Sequence, residues 1–188
     1  RLLSSYYITT SLLIALDQDE KLVGVEDNAD LRPIYAMSSP AILDLPSIGT
    51  AKEIDIEACA ALSPDLAILP MKVKDSVDDL EELGITVLLV NPESQDLLIE
   101  MIQLVAMAKE TEEKSEALIG FIDTQEDKLA NILADVKTPS VYLASNSSFL
   151  STAGDAMYQS DMIRLAGGQN VAGEIEDTYW AQIDYEQL

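Results

Sequence analysis

The chain has 188 residues, of which 34 are Asp or Glu and 11 are Lys or Arg, leaving a net charge of -23 at pH 7. Such a surface repels phosphate backbones and anionic bilayers, so nucleic acid is not an expected partner. There is no histidine and only one cysteine, Cys59, which excludes Ser-His-Asp and Cys-His catalysis, imidazole-ligated metals and a disulfide framework, and leaves a binding protein, a carboxylate-based enzyme or an interaction module.

Short apolar runs alternate with helical patterns, the mark of an α/β fold with a mostly parallel sheet. Arg1 to Ser5 reads as a strand, Thr9 to Leu16 as a helix with Leu12, Leu13 and Leu16 on one side, and Lys21 to Val25 as a second strand. Glu26 to Ala51 is long and irregular, with Pro33, Pro40 and Pro46; such loops carry function or small helices. A short helix over Asp55 to Leu62 precedes a buried strand at Leu66 to Leu69. A helix over Val77 to Leu83 is stopped by Gly84, and Ile85 to Val90 is a further strand closed by Asn91 and Pro92.

From Ser94 the pattern becomes helical, breaks or bends near Ala108 and resumes from Thr111 to about Val136. There Leu118, Phe121, Ile122, Leu129, Ile132, Leu133 and Val136 form one stripe at helical spacing. At about 1.5 Å per residue the segment would reach roughly 39 Å, enough to connect two bodies. A strand at Ser140 to Ala144, a polar loop at Ser145 to Ser148, and a helix near Ser160 to Ala166 ending at Gly167 and Gly168 complete the pattern. No apolar run approaches the length of a membrane span. The chain opens without the order of a signal peptide, so any export signal is expected to have been removed already.

Four motifs carry a resemblance: IEACAALSPDLAILP (Ile56 to Pro70), LEELGITVLLV (Leu80 to Val90), MIRLAGGQNVAG (Met162 to Gly173) and WAQIDYEQL (Trp180 to Leu188). In order and spacing the chain resembles the iron-siderophore, haem and cobalamin class of periplasmic substrate-binding proteins, which serve ABC importers. The resemblance implies an α/β fold of two Rossmann-like lobes with parallel sheets joined by one long helix. The expected division is an N-terminal lobe over 1–108, an inter-lobe helix over 109–136 and a partial C-terminal lobe over 137–188. Complete members of the class continue past YEQL, so the second lobe is expected to be incomplete, with an edge open to self-association. The implied location is extracytoplasmic, in the periplasm or at the cell surface as a lipoprotein, with contact to the membrane only through a lipid anchor outside this chain.

Ligands of open α/β sheets bind at the carboxyl ends of the strands. That rule selects Tyr6 and Tyr7 after the first strand, Arg32 and Tyr35 in the loop after the second, and Met71 and Lys72 after the strand ending at Pro70. In the C-terminal part Asn146, Phe149 and Trp180 occupy comparable places, and the resemblance sets the two rims face to face across a cleft. The transported ligand it implies is a ferric siderophore, haem or cobalamin, with no resident cofactor. Tyr6, Tyr7 and Tyr35 are candidate haem ligands as tyrosinates, and Arg32, Lys72, Lys74 and Arg164 are candidate partners of an anionic chelate. A bare metal would need an all-carboxylate site. The resemblance further places Glu57 and Glu186 where members of the class present one acid per lobe to permease arginines, a contact that sets docking register and rate. Two other readings stay open: an enzyme on a similar body, with a carboxylate pair such as Asp155 and Asp161, and an interaction module without a transported ligand.

Overall fold

The computed structural model describes residues 1–175 and 178–186. The chain forms two compact units, Arg1–Asn91 with Leu104–Glu112, and Pro92–Gln103 with Glu113–Leu188. In the first, β1 (Leu2–Ser4), β2 (Leu22–Gly24), β3 (Leu66–Pro70) and β4 (Thr86–Val90) make a parallel sheet in the order β2-β1-β3-β4. Leu2 pairs with both Leu22 and Leu66, and β3 runs in unbroken register with β4 from Leu66↔Thr86 to Pro70↔Val90. Strands covered on both faces need continuous apolar runs rather than alternation. The central strands meet that need, with Leu2, Leu3, Ala67, Ile68 and Leu69 all buried.

The connections obey local chemistry. Helix α1 (Tyr7–Ala15) follows β1 after two residues, and α3 (Ile56–Ala61) is capped by Asp55, whose carboxylate accepts from the Ala58 N–H at 2.9 Å. The long segment after β2 holds a short helix, α2 (Pro33–Ser38), with 3-10 turns at Ala29–Leu31 and Pro40–Asp44. Helix α4 (Val77–Glu82) stops at Gly84, whose φ of 81° lets Ile85 N–H reach back to Leu80 O at 3.1 Å.

Helix α5 (Gln95–Lys109) ends the same way without a glycine. Glu110 sits at φ 55° and the Thr111 N–H bonds Ala106 O at 3.0 Å. This left-handed residue is the break expected near Ala108, after which α6 (Glu112–Leu133) begins.

The second unit contains α6, α7 (Tyr158–Leu165) and two small sheets. β5 (Ser140–Val141) pairs in parallel with β7 (Gln169–Asn170), whereas β6 (Ser151–Ala153) pairs antiparallel with β8 (Trp180–Gln182). The antiparallel pair is an addition to the parallel arrangement expected, and the strand expected to reach Ala144 is only two residues long. Buried Gln95 pins the start of α5. Its N–H donates to Asp161 at 3.0 Å, its amide nitrogen to Glu126 at 2.6 Å, and its amide oxygen accepts from Tyr158 at 2.9 Å. The apolar stripe of α6 is only partly covered: Leu118, Ile122 and Leu133 are half-buried, but Phe121, Leu129 and Ile132 stand exposed, Ile132 by 70%. Among the described residues no helix is long and apolar enough to cross a membrane.

A side chain at Glu110 pays a conformational penalty that glycine avoids, so Glu110→Gly should stabilise the fold by about 0.5–1 kcal/mol. Urea unfolding of the two proteins checks the sign; a variant less stable than the parent would show that the turn is held by the Glu110 side chain.

Candidate functional site

The parallel order brings the carboxyl ends of all four strands of the first unit to one edge. Tyr6 precedes α1 and Tyr7 is its first residue, so the tyrosine pair is fixed by a helix start rather than carried on a free loop. Their rings meet edge to face, 5.2 Å between centroids. Arg32 lies just before α2, and its guanidinium stacks 4.4 Å above the Tyr7 ring, a cation–π contact. Met71 and Lys72 open the 3-10 helix that follows β3, and both are exposed.

Beneath this rim lies an acid that the strand-end rule did not select. Glu26, two residues past β2, is 4% exposed, yet its carboxylate is fully engaged. It accepts from the Thr10 hydroxyl at 2.6 Å and from the Tyr35 hydroxyl at 2.7 Å, and Arg32 Nε lies 3.2 Å away. Ser4 Oγ sits 2.8 Å from the same Thr10 hydroxyl. Burying a carboxylate is tolerable only with such pairing. A charged residue placed directly after the apolar run LVGV was the one available signal, since a strand end is where a buried charge finds partners.

Tyr35 corrects an expectation. It was assigned to the ligand surface, but it is fully buried, its hydroxyl shared between Glu26 and the Tyr7 carbonyl at 3.2 Å. It supports the rim from below and cannot face a ligand. Burial, then the adjoining Glu26 carboxylate, raises its pKa well above the ordinary phenol value of 10.0. Arg32 keeps a foothold in solvent, its side chain 37% exposed while its Nε is sealed off. The terminal nitrogens have no hydrogen-bond partner among the described residues.

In the second unit Asn146 lies in the polar turn after β5, exposed, and Phe149 packs its ring 5.4 Å from Tyr142. Trp180 opens β8 with 45% of its surface exposed. Asn146 and Trp180 line one recess of about 630 Å³, with Gln159 and Gln182 beside them; Phe149 is not part of its lining. Neither glutamine was a sequence candidate, because amides on short elements leave no periodic signal.

Glu57 on α3 and Glu186 near the end of the chain are both exposed. Gln187 and Leu188, which end the last of the four motifs, lie outside the described residues. A recess of about 490 Å³ lined by Asp27, Glu53 and Asp55 opens near the start of α3. Asp161, one of the acids in the enzyme reading, already accepts from Gln95 N–H and from Arg164 at 3.0 Å. Among the described residues no group of three or more Cys, Asp or Glu is placed to hold a metal ion.

A family model described as periplasmic binding protein matches residues 4–188. No curated protein matches the sequence. Among solved structures, the chain is similar to the periplasmic haem-binding protein HutB of Vibrio cholerae, with TM-score 0.82, 23% identity, and coverage of 100% of this chain and 71% of that one. It is similar also to the vitamin B12-binding protein BtuF of Vibrio cholerae, with TM-score 0.77, 20% identity, and coverage of 100% and 71%. A periplasmic solute-binding protein of Veillonella parvula gives TM-score 0.78 and 24% identity, covering all of this chain and 59% of that one. At these identities the likeness is one of fold, and the chain spans between 59% and 71% of the three structures' own length.

Replacing Tyr35 by Phe keeps the ring and removes the donor, leaving one Glu26 oxygen short of a partner at a cost of about 1–3 kcal/mol. Because the folded phenol has the higher pKa, its stabilisation is complete below about pH 10 and is lost as the pH rises beyond it. Urea melts should therefore show Tyr35→Phe less stable at pH 7, with the gap to the parent narrowing toward pH 11. Equal stabilities at pH 7 would remove the phenol from this role.

Proposed function

The chain belongs to the periplasmic binding protein family, and on that premise we propose that it is the extracytoplasmic solute-binding component of an ABC importer. It captures a small metal chelate, either a ferric siderophore, haem or cobalamin, and delivers it to a membrane permease without chemical turnover. The observation that supports this most is the rim of the first unit, where the segments after three of the four parallel strands, β1, β2 and β3, carry Tyr6, Tyr7, Arg32, Met71 and Lys72. Such an edge, with aromatic walls and a guanidinium whose terminal nitrogens are open, can grip a flat or oxygen-rich ligand. Asn146, Phe149 and Trp180 supply the contacts from the other lobe. In this reading the lobes are 1–108 and 137–188, with 109–136 as their connection.

Glu57 and Glu186 serve as the acids that dock on permease arginines. Their exposure supports the role, since a carboxylate that must meet a partner cannot already be spent on an internal pair. The neighbouring acids Asp27, Glu53 and Asp55 add to a negative field on that face of the first unit, which speeds encounter with a basic partner.

Calorimetric titration with haemin, cyanocobalamin and ferric siderophores tests the binding role. The Tyr7→Ala variant should bind at least tenfold more weakly with its fold intact, because this half-exposed ring can be removed while Arg32 stays paired with buried Glu26. Binding as tight as the parent's would move the site elsewhere.

A separate experiment tests docking. Glu57→Arg with Glu186→Arg sets like charges against each other at the permease, a cost of several kcal/mol. Import should stop while ligand affinity stays within about threefold; normal uptake by cells carrying both changes would return the two acids to an ordinary solvated surface.

A further inference from the structure

The buried acid beneath the first unit's rim has a part in ligand capture, an inference that rests on the solute-binding reading above. Glu26 follows the apolar run LVGV at 22–25 and is 4% exposed, a place where a further apolar side chain would extend the core. Replacing a buried ion pair by well-packed apolar residues of similar volume is often neutral or stabilising, so the stability of the unit does not call for a carboxylate here. What a carboxylate does that an apolar group cannot is hold the guanidinium of Arg32 in one orientation.

Arg32 is fixed at both ends. Its backbone, at φ -100° and ψ 105°, is kept extended by Pro33, which opens α2, and its carbonyl accepts from the Tyr35 N–H at 3.0 Å. At the far end Nε lies 3.2 Å from Glu26 Oε1 and is sealed from solvent, while the guanidinium carbon sits 4.4 Å above the centre of the Tyr7 ring. With its inner edge turned to the acid and one face on the ring, the group has its terminal nitrogens left to meet a ligand.

The acid is itself held from two elements. Its Oε2 accepts from Thr10 on α1 at 2.6 Å and its Oε1 from Tyr35 on α2 at 2.7 Å, so neither oxygen can swing away with the arginine. An arginine left free in water samples many rotamers, and ordering such a side chain on binding weakens affinity. Here that ordering is in place before a ligand arrives. The other two arginines are engaged elsewhere, Arg1 with the Leu62 and Ser63 carbonyls and Arg164 with Asp161.

We propose that Glu26 is a positioning residue for ligand capture: by holding Nε of Arg32 from below, it presets the guanidinium over Tyr7 so that the terminal N–H groups donate to oxygen acceptors of an incoming ligand. Glu26 itself touches no ligand, since it is buried with both oxygens engaged. Its effect on binding passes through Arg32.

The test combines calorimetry of the 188-residue chain with haemin, cyanocobalamin and ferrichrome, and NMR observation of the Arg32 Nε–H. Glu26→Gln is close to isosteric and leaves no hydrogen bond unmade: the Thr10 hydroxyl can turn to Ser4 Oγ, 2.8 Å away, and accept from the new amide, while Tyr35 still donates to the remaining oxygen. On the probe that the parent binds most tightly, this variant should lose about three- to tenfold in affinity, the range for one side chain that must now be ordered on binding. Its Arg32 Nε–H should exchange with water at least about threefold faster, because the charge-assisted contact is gone. Thr10→Val keeps the carboxylate and removes one of its two hydroxyl contacts; it should move both readouts the same way, by about twofold or more, and decides the matter if Glu26→Gln fails to fold. Circular dichroism verifies each protein. A merely structural acid would lower the melting temperature and leave affinity and Arg32 exchange at parent values, a result that overturns the inference while leaving solute binding intact. Either change without the other also overturns it, since Glu26 would then not act through Arg32. Binding of none of the three probes by the parent overturns the solute-binding reading for these chelates, and the inference with it.

Discussion

The carboxylate of Glu26 is the contact on which the first unit's rim depends. It reaches three chain segments at once: Thr10 from α1, Tyr35 from α2, and Arg32 from the turn between β2 and α2. Each partner answers the same demand, that a charge withdrawn from water be fully coordinated. In meeting it, the chain fixes the start of α2 against the start of α1. The stack of Arg32 on Tyr7 is a consequence, because a guanidinium anchored at Nε has little freedom left except to lie over the neighbouring ring.

The ion pair of Arg32 with buried Glu26 at the rim contrasts with the acidic charge of the whole molecule. A net charge of -23 acts over distances limited by salt screening to about 10 Å. Close to the candidate ligand residues the side chains differ: Arg32 matched to buried Glu26, with exposed Lys72 on the same edge, in the first unit, and, among the described residues, amides with an indole in the second.

The second unit is organised less by its sheets than by side-chain bonds. Two pairs of strands of two or three residues give little cooperative hydrogen bonding, so the order of α5, α6 and α7 rests on Gln95 and its partners Asp161, Glu126 and Tyr158. Asn170 does similar work lower in the unit, donating to Ala153 O at 2.9 Å and contacting Ser160 Oγ at 2.8 Å. Where a sheet is too small to impose geometry, directed polar bonds supply it.

The sequence by itself determined the alternating α/β plan, the four apolar strands of the first unit, the helix stops at Gly84 and Gly167, and the family. These depend on runs of neighbours and on backbone angles that a few adjacent residues dictate. It also placed Tyr7, Arg32 and Trp180 at element ends, where polar and aromatic groups are most available. Only the tertiary structure decided that Tyr35 points inward and that Glu26 is buried beneath Arg32. It alone decided that Ser151–Ala153 pairs antiparallel with Trp180–Gln182 and that Gln159 and Gln182 share a recess. The physical reason is distance along the chain. Tyr35 meets Glu26 nine residues away and the Tyr7 carbonyl 28 away, and the side that a residue buries is set by whichever remote partner completes its hydrogen bonds, which no local pattern encodes.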